Sequence, residues 1–154
     1  MELAELLSPE AVIANLKTAS KKQALQDIAT RGAKIVRLPE REIFEALLER
    51  ERLGTTGVGQ GVAIPHAKFA GLDRLHGVFA RLEQPIDFEA IDDRPVDLIF
   101  ALLAPEDAGA EHLKALARVS RLLRNQAVCT KLRATTEADA LYALLTEPAS
   151  SAGG

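Results

Sequence analysis

Val96-Asp-Leu-Ile-Phe-Ala-Leu-Leu103 is an apolar run of strand length, and Leu75-His-Gly-Val-Phe-Ala-Arg-Leu82 is a second one upstream. Pro85, Asp92, Asp93 and Pro95 punctuate the segment between them, so the two read as strands joined through a turn region. Val12–Leu16 reads as a further short strand. Around these, the pattern turns helical. Ser20 is placed as an N-cap, with Gln23 three residues on as the partner of a capping box. Leu25, Ile28 and Ala29 then share one face, and Gly32 is the expected stop. A second helix starts near Pro39, with Ile43, Phe44, Leu47 and Leu48 as its core stripe and Glu40, Glu42, Glu45 and Glu49 toward water. After Pro105 and Gly109 a long helix is expected, with Leu113, Leu116, Ser120 and Leu123 down its buried side. Two more helical pieces follow, around Val128–Leu132 and from Glu137 to Leu145, the last capped by Thr135 or Thr136. Strands interleaved with helices predict an α/β (α+β) fold in which helices pack on a mixed β-sheet. Residues 1–147 read as one domain and 148–154 as a flexible C-terminal tail.

Composition narrows the function. The 154 residues carry 19 Lys+Arg against 22 Asp+Glu, a formal charge of −3, and aromatics are 4% with no Trp. A nucleic-acid binder would need a basic face or rings on which bases stack, so no nucleic-acid partner is expected. Cys129 is the single cysteine, which excludes an internal disulfide and any Cys-x-x-Cys site, and it reads as a small buried hydrophobe. The N-terminus carries acids where a signal peptide carries Lys or Arg. No apolar run approaches the ~18 residues of a membrane-spanning helix. A cytoplasmic protein with no membrane insertion is expected.

Gly54-Thr-Thr-Gly-Val-Gly-Gln-Gly61 holds four glycines in eight residues and reads as a loop with short extended pieces. It fails as a nucleotide fingerprint, because position 62 is Val and no Gly-Lys-Ser/Thr follows. His66, presented by the stiff Ile64-Pro65 pair, is the candidate nucleophile, against the plainer reading of a strand-end histidine. His112 falls in the first turn of the helix after Gly109, where the dipole favours an anion and a neutral imidazole. Arg50 lies on the flank of the Ile43–Leu47 stripe, near the glycine loop, and its fork suits phosphoryl oxygens. The plainer reading pairs it with Glu45, Glu49 or Glu51. Arg41 and Arg52 project toward water, and His76 reads as structural or solvent-facing. The spacing of the three histidines gives no metal motif.

Glu49-Arg-Glu-Arg-Leu-Gly-Thr-Thr-Gly-Val-Gly-Gln-Gly-Val-Ala-Ile-Pro-His66 resembles the signature of the phosphotransferase-system enzyme IIA proteins of the fructose/mannitol/nitrogen-regulatory type. The likeness continues through Pro85-Ile-Asp-Phe88, Pro95-Val-Asp-Leu98 and the Ala104-Pro105 and Glu111-His-Leu113 segments. It is nearest the nitrogen-regulatory branch, partly because no IIB or membrane IIC segment is fused to it. The resemblance implies a three-layer sandwich with helices on both faces of the sheet. It makes His66 the phosphoryl acceptor through Nε2, Arg50 a residue that holds the phosphoryl group, and His112 a hydrogen-bond partner facing the acceptor. Thr56 falls where the family lines that pocket, and Pro65 completes the Pro-His pair. One departure is Ala67, where the family usually has Gly; at a positive φ alanine would be strained.

What the resemblance implies for activity is a phosphocarrier. An HPr-type carrier donates, no metal or organic cofactor is used, and the group passes to a IIB protein or acts as a signal to targets such as kinases or ion transporters. The docking surface is expected to join the rim of the glycine loop to apolar side chains, with Glu106, Asp107 and Glu111 facing a basic carrier. A regulatory module switched by phosphorylation is the alternative use. A hydrolase pairing His66 with Asp73 or Asp87 is a third class, with nothing in the spacing to bring either acid close.

Overall fold

The structure, a computed structural model, describes residues 2–147; the expected tail at 148–154 lies outside the described residues. Two 3-10 turns, Leu3–Glu5 and Pro9–Ala11, lead into β1 (Val12–Leu16), α1 (Lys21–Val36) and α2 (Glu40–Leu53). Three short strands follow, β2 (Gly57–Gly59), β3 (Val62–Ala63) and β4 (His66–Phe69), then the long pair β5 (His76–Ile86) and β6 (Val96–Pro105). Three helices close the chain: α3 (Ala110–Arg124), α4 (Gln126–Ala134) and α5 (Ala138–Thr146).

One six-stranded sheet runs in the order β1-β5-β6-β3-β2, with β4 also paired to β6. β5 and β6 are antiparallel, while β1 on β5 and both β3 and β4 on β6 are parallel. The sheet is mixed, as the sequence predicts. Alternation along β6 explains why it needs cover on both sides. Leu98, Phe100 and Leu102 join Ala115 and Val119 of α3, Leu132 of α4 and Leu141 of α5 in one core. Ile99, Ala101 and Leu103 join Leu25 and Ile28 of α1 and Ile43 and Leu47 of α2 in the other. Each helix closes over the face its apolar stripe requires, and three layers result.

Several local expectations shift. Ser20 caps α1 by accepting from the Gln23 N–H at 3.1 Å, but the Gln23 amide reaches Asp27 at 3.0 Å instead of returning to Ser20. The capping box is therefore one-sided. Gly32 does not end α1, which runs to Val36 and closes on Arg37 in the left-handed region. Its role is closeness, since a Cβ there would sit 3.3 Å from Leu103 Cδ1. The α3 stripe is displaced by one position in its first turns. His112, Ala115 and Val119 are buried together with the expected Leu123, Leu116 is half-buried against the same core, and Leu113 is 69% exposed. Placing Leu113 in the core overlooks that His112 itself starts the buried row at i, i+3, i+7 and i+11. Neither Thr135 nor Thr136 caps α5, whose N-cap is Glu137 with no side-chain bond. The Thr135 hydroxyl instead bonds back to the Lys131 carbonyl at the end of α4.

The glycine loop folds into a tight hairpin, with Gln60 (φ 56) and Gly61 (φ 81) both left-handed at its tip, the pattern of a two-residue primed turn. Arg133 of α4 holds it, donating to the Gln60 carbonyl at 2.8 Å and to Asp97 at 2.9 Å. Cys129 is buried, its thiol donating to the Leu123 carbonyl at 3.2 Å. On β5, Gly77 passes so near Phe100 that a Cβ would stand 2.6 Å from Cε1 and 2.9 Å from Cζ. Phe100 is fully buried and has no room to retreat. Gly77→Ala is therefore expected to lower stability by about 1–3 kcal/mol, read as a lower urea midpoint at unchanged slope. A wild-type midpoint would show that the Phe100 ring can yield.

Candidate functional site

The chain from Val62 to Phe69 runs beside β6 in two pieces, broken at Ile64-Pro65. Proline has no N–H to give to a ladder, so the break costs no donor there. Both flanking groups stay bonded: the Pro65 carbonyl accepts from Leu102 N–H at 2.9 Å, and the Ile64 N–H donates to the Thr56 carbonyl at 3.0 Å. Strand alternation then assigns sides. Ala67 and Phe69 join the core under α1 and α2, so His66, opposite Leu102, faces the α3 layer. Ala67 has an ordinary negative φ inside β4, and the strain expected at a positive φ does not arise.

α3 starts at Ala110 after Gly109, and its first turn delivers His112 to the same side. The two imidazoles meet edge to face, with centroids 5.4 Å apart and planes at 77°. His66 Nδ1 lies 2.9 Å from the Ile64 carbonyl oxygen. A carbonyl only accepts, so Nδ1 carries the proton and the neutral ring keeps its lone pair on Nε2. His112 is 5% exposed, and its Nε2 finds no hydrogen-bond partner among the described residues. A buried nitrogen left without a partner costs about 1–3 kcal/mol, so hydrogen bonding to this one would be favourable.

Arg50 stands on the flank of α2 as expected, but it pairs with none of Glu45, Glu49 or Glu51. Its Nη1 donates to the Gly54 carbonyl at 2.9 Å, which ties it to the mouth of the glycine loop. Its charge is near enough to His66 to disfavour protonation there. Thr56 is buried, and both its donors are taken by Glu51: the N–H at 3.0 Å to Oε1 and the hydroxyl to Oε2. Its hydroxyl proton is thus committed away from the histidine pair, which makes Thr56 a loop anchor more than a pocket donor.

Glu51 is the site residue that sequence patterning misses. It is 7% exposed and also takes Lys21 Nζ at 2.9 Å. The signal is present, because Ile43, Leu47 and Glu51 are spaced i, i+4 and i+8 on the buried side of α2. Asp73 and Asp87 make no hydrogen bond to His66; Asp87 accepts instead from the Glu89 N–H at 2.9 Å. Among the described residues no group of three or more His, Cys, Asp or Glu could hold a metal ion, and no helix is long and apolar enough to cross a membrane.

Residues 5–147 match the profile of the family described as the phosphoenolpyruvate-dependent sugar phosphotransferase system, EIIA 2. The chain is 55% identical over 152 residues to a nitrogen regulatory protein of Bradyrhizobium diazoefficiens, covering 99% of each. The solved nitrogen regulatory protein IIA-Ntr of Neisseria meningitidis superposes with a TM-score of 0.89 at 35% identity, over 94% of this chain and 99% of that one. The mannitol enzyme IIA of Escherichia coli, solved in complex with phosphorylated enzyme IIB, shares the fold at a TM-score of 0.77 and 22% identity, over 93% and 100%.

Burial lowers the pKa of all three histidines from the ordinary value. For His66 desolvation leads, the Ile64 carbonyl and Glu51 work against it, and Arg50 adds to it. For His112 desolvation leads, followed by His66 and Lys68. The unfolded chain therefore binds more protons just below pH 6.5 than the folded one does. The stability this represents is complete above about pH 6.5 and is lost as pH falls through the lowered folded values. Asp92, held low by the Gln60 and Arg94 N–H groups, titrates well below that window. A urea midpoint lower at about pH 5.5 than at about pH 7.5 is the expected outcome; equal midpoints would mean that the folded imidazoles titrate at the ordinary value.

Proposed function

The chain belongs to the EIIA 2 family of the phosphoenolpyruvate-dependent sugar phosphotransferase system, and on that footing we propose that it is a phosphoryl carrier whose acceptor atom is Nε2 of His66. The observation that carries this reading is the pair of imidazoles. His66 offers Nε2 as a lone pair because Ile64 holds its proton on Nδ1, and His112, edge to face with it, has an Nε2 without a hydrogen-bond partner among the described residues.

The transfer balances without a cofactor. An HPr-type carrier brings a phosphoryl group on a ring nitrogen, and His66 Nε2 attacks phosphorus in line. As the new N–P bond forms, the carrier's N–P bond breaks and its electron pair returns to the carrier's ring. His66 gains positive character in the step, and the Ile64 carbonyl on Nδ1–H stabilises it. Arg50 and His112 supply hydrogen bonds to the phosphoryl oxygens, as does the positive end of α3, so catalysis is positioning and electrostatics. Pro65 keeps the approach stiff.

Docking by the carrier uses an apolar rim with acidic neighbours. Leu53, Val58, Ile91 and Leu113 are the large apolar side chains left exposed among the described residues; Glu106 and Asp107 lie just before α3 and Glu111 in its first turn, all three exposed. The regulatory names of the relatives favour a second use, in which phosphorylation changes the grip on a cytoplasmic target such as a kinase or ion transporter. The complex with phosphorylated IIB formed by the mannitol relative favours onward relay. Label that never passes to any IIB protein, while target binding changes, would select the regulatory use.

Intact-mass measurement after incubation with phosphorylated HPr-type carrier should show one acid-labile phosphoryl group on the wild type and none on His66→Ala. Loss of one oxyanion donor in Arg50→Ala or His112→Ala should slow acceptance by about 10²-fold. Folded wild type that takes no label from a competent carrier would end the proposal. Separately, Glu111→Lys should slow association at low ionic strength and matter little at high salt. An unchanged low-salt rate removes Glu111 from the docking surface.

A further inference from the structure

Glu51 is an acidic side chain buried at the C-terminal end of a helix, where the dipole disfavours a negative charge. Its neighbours explain how it is kept there. Oε1 takes Lys21 Nζ at 2.9 Å and the Thr56 N–H at 3.0 Å, and Oε2 takes the Thr56 hydroxyl. Lys21 is itself fixed, 4.8 Å above the Phe88 ring. Three elements thus meet at one carboxylate: the start of α1, the end of α2 and the glycine loop.

The chain of contacts does not stop at Thr56. Its carbonyl accepts the Ile64 N–H at 3.0 Å, and the Ile64 carbonyl in turn lies 2.9 Å from His66 Nδ1. Every link is a hydrogen bond with its direction fixed by chemistry, since carboxylate and carbonyl oxygens only accept. Loosening Thr56 frees the Ile64 peptide to tilt, and the His66 proton loses its assigned place. We propose that Glu51, with Lys21 as its counter-ion, is a positioning residue that holds Thr56 and, through Ile64, keeps the His66 proton on Nδ1 and the lone pair on Nε2. This rests on His66 as the acceptor, yet its central claim concerns a tautomer and is readable without any transfer.

The test is nitrogen-15 NMR of the His66 ring at neutral pH, with phosphoryl acceptance measured alongside. Wild type should give one neutral tautomer with Nδ1 protonated. In Glu51→Gln and in Thr56→Val the two ring-nitrogen shifts should move toward each other, and acceptance should fall by about tenfold or more. Lys22→Gln, an exposed change beside Lys21, should alter neither. The pH profile separates positioning from damage. Arg50 lowers the His66 pKa and Glu51 raises it, with His112 and Lys68 as the other titratable or charged neighbours from α3 and β4. Removing the Glu51 charge should therefore carry the acid limb to lower pH, whereas a site opened to water would carry it up toward about 6.5.

Wild-type ring shifts in folded Glu51→Gln would overturn the proposal, and wild-type shifts in Thr56→Val would do so equally if the glutamine variant does not fold. An acid limb moved upward would overturn it as well. If the tautomer responds as expected while wild type takes no phosphoryl group, the positioning chain stands and the phosphocarrier reading falls. If wild type is labelled and the Glu51→Gln tautomer and rate are unchanged, the reverse holds.

Discussion

β6 is bonded along both edges and buried on both faces, and the rest of the molecule follows from satisfying it. One edge takes β5 over most of its length, while the other is shared by β3 and β4. Its ten residues are almost all apolar, so helices must cover both sides. Because the second edge is built from two pieces, there is a break in it, and the break is Ile64-Pro65. The histidine after a proline in this interrupted strand has a fixed side of the sheet and a nearby carbonyl for its ring. The position of His66 is thus a consequence of how the central strand is paired.

Burial sets the electrostatics of that position. Taking imidazoles out of water favours their neutral forms; a charge on His66 further disfavours one on His112, and Arg50 further disfavours one on His66. A nucleophilic nitrogen needs that neutral form. The opposing requirement is that the ring tolerate positive character once its lone pair is shared, and the Ile64 carbonyl meets it. The cluster around Glu51 carries the one buried carboxylate among the described residues, and it is paired and hydrogen-bonded on both oxygens, as a charge there must be.

Strand identity is legible in the sequence because β6 is apolar from Leu98 onward and β5 is largely apolar from Gly77 to Leu82, with only Arg81 between, and helix existence because α1 and α2 carry clear stripes. His66, His112 and Arg50 are legible as candidates from their settings, and the structure does bring the two histidines together. What is not legible has common causes. The conformational habit of glycine marks Gly32 as a stop, whereas tertiary closeness to Leu103 decides its use. The hydrophobicity of Leu113 suggests core, although a helix face is set by the whole row and a histidine begins that row. The charge of Glu51 suggests water. Its burial depends on Lys21, thirty residues away, and no local pattern reports such a partner.

Ala67 is governed by its place in the sheet in the same way. The family resemblance raises the prospect of a strained residue beside His66, because glycine usually stands there. Inside β4 the position is extended, its side chain points into the core beneath α1 and α2, and its pairing with Leu103 is regular. A methyl group at such a site adds apolar contact and removes the backbone freedom that glycine would bring to the unfolded chain. Alanine is then compatible with a more firmly held strand immediately after His66. For the proposed transfer, which would depend on presenting one nitrogen of His66 in one direction, stiffness on both sides of it, from Pro65 before and Ala67 after, works toward the same end.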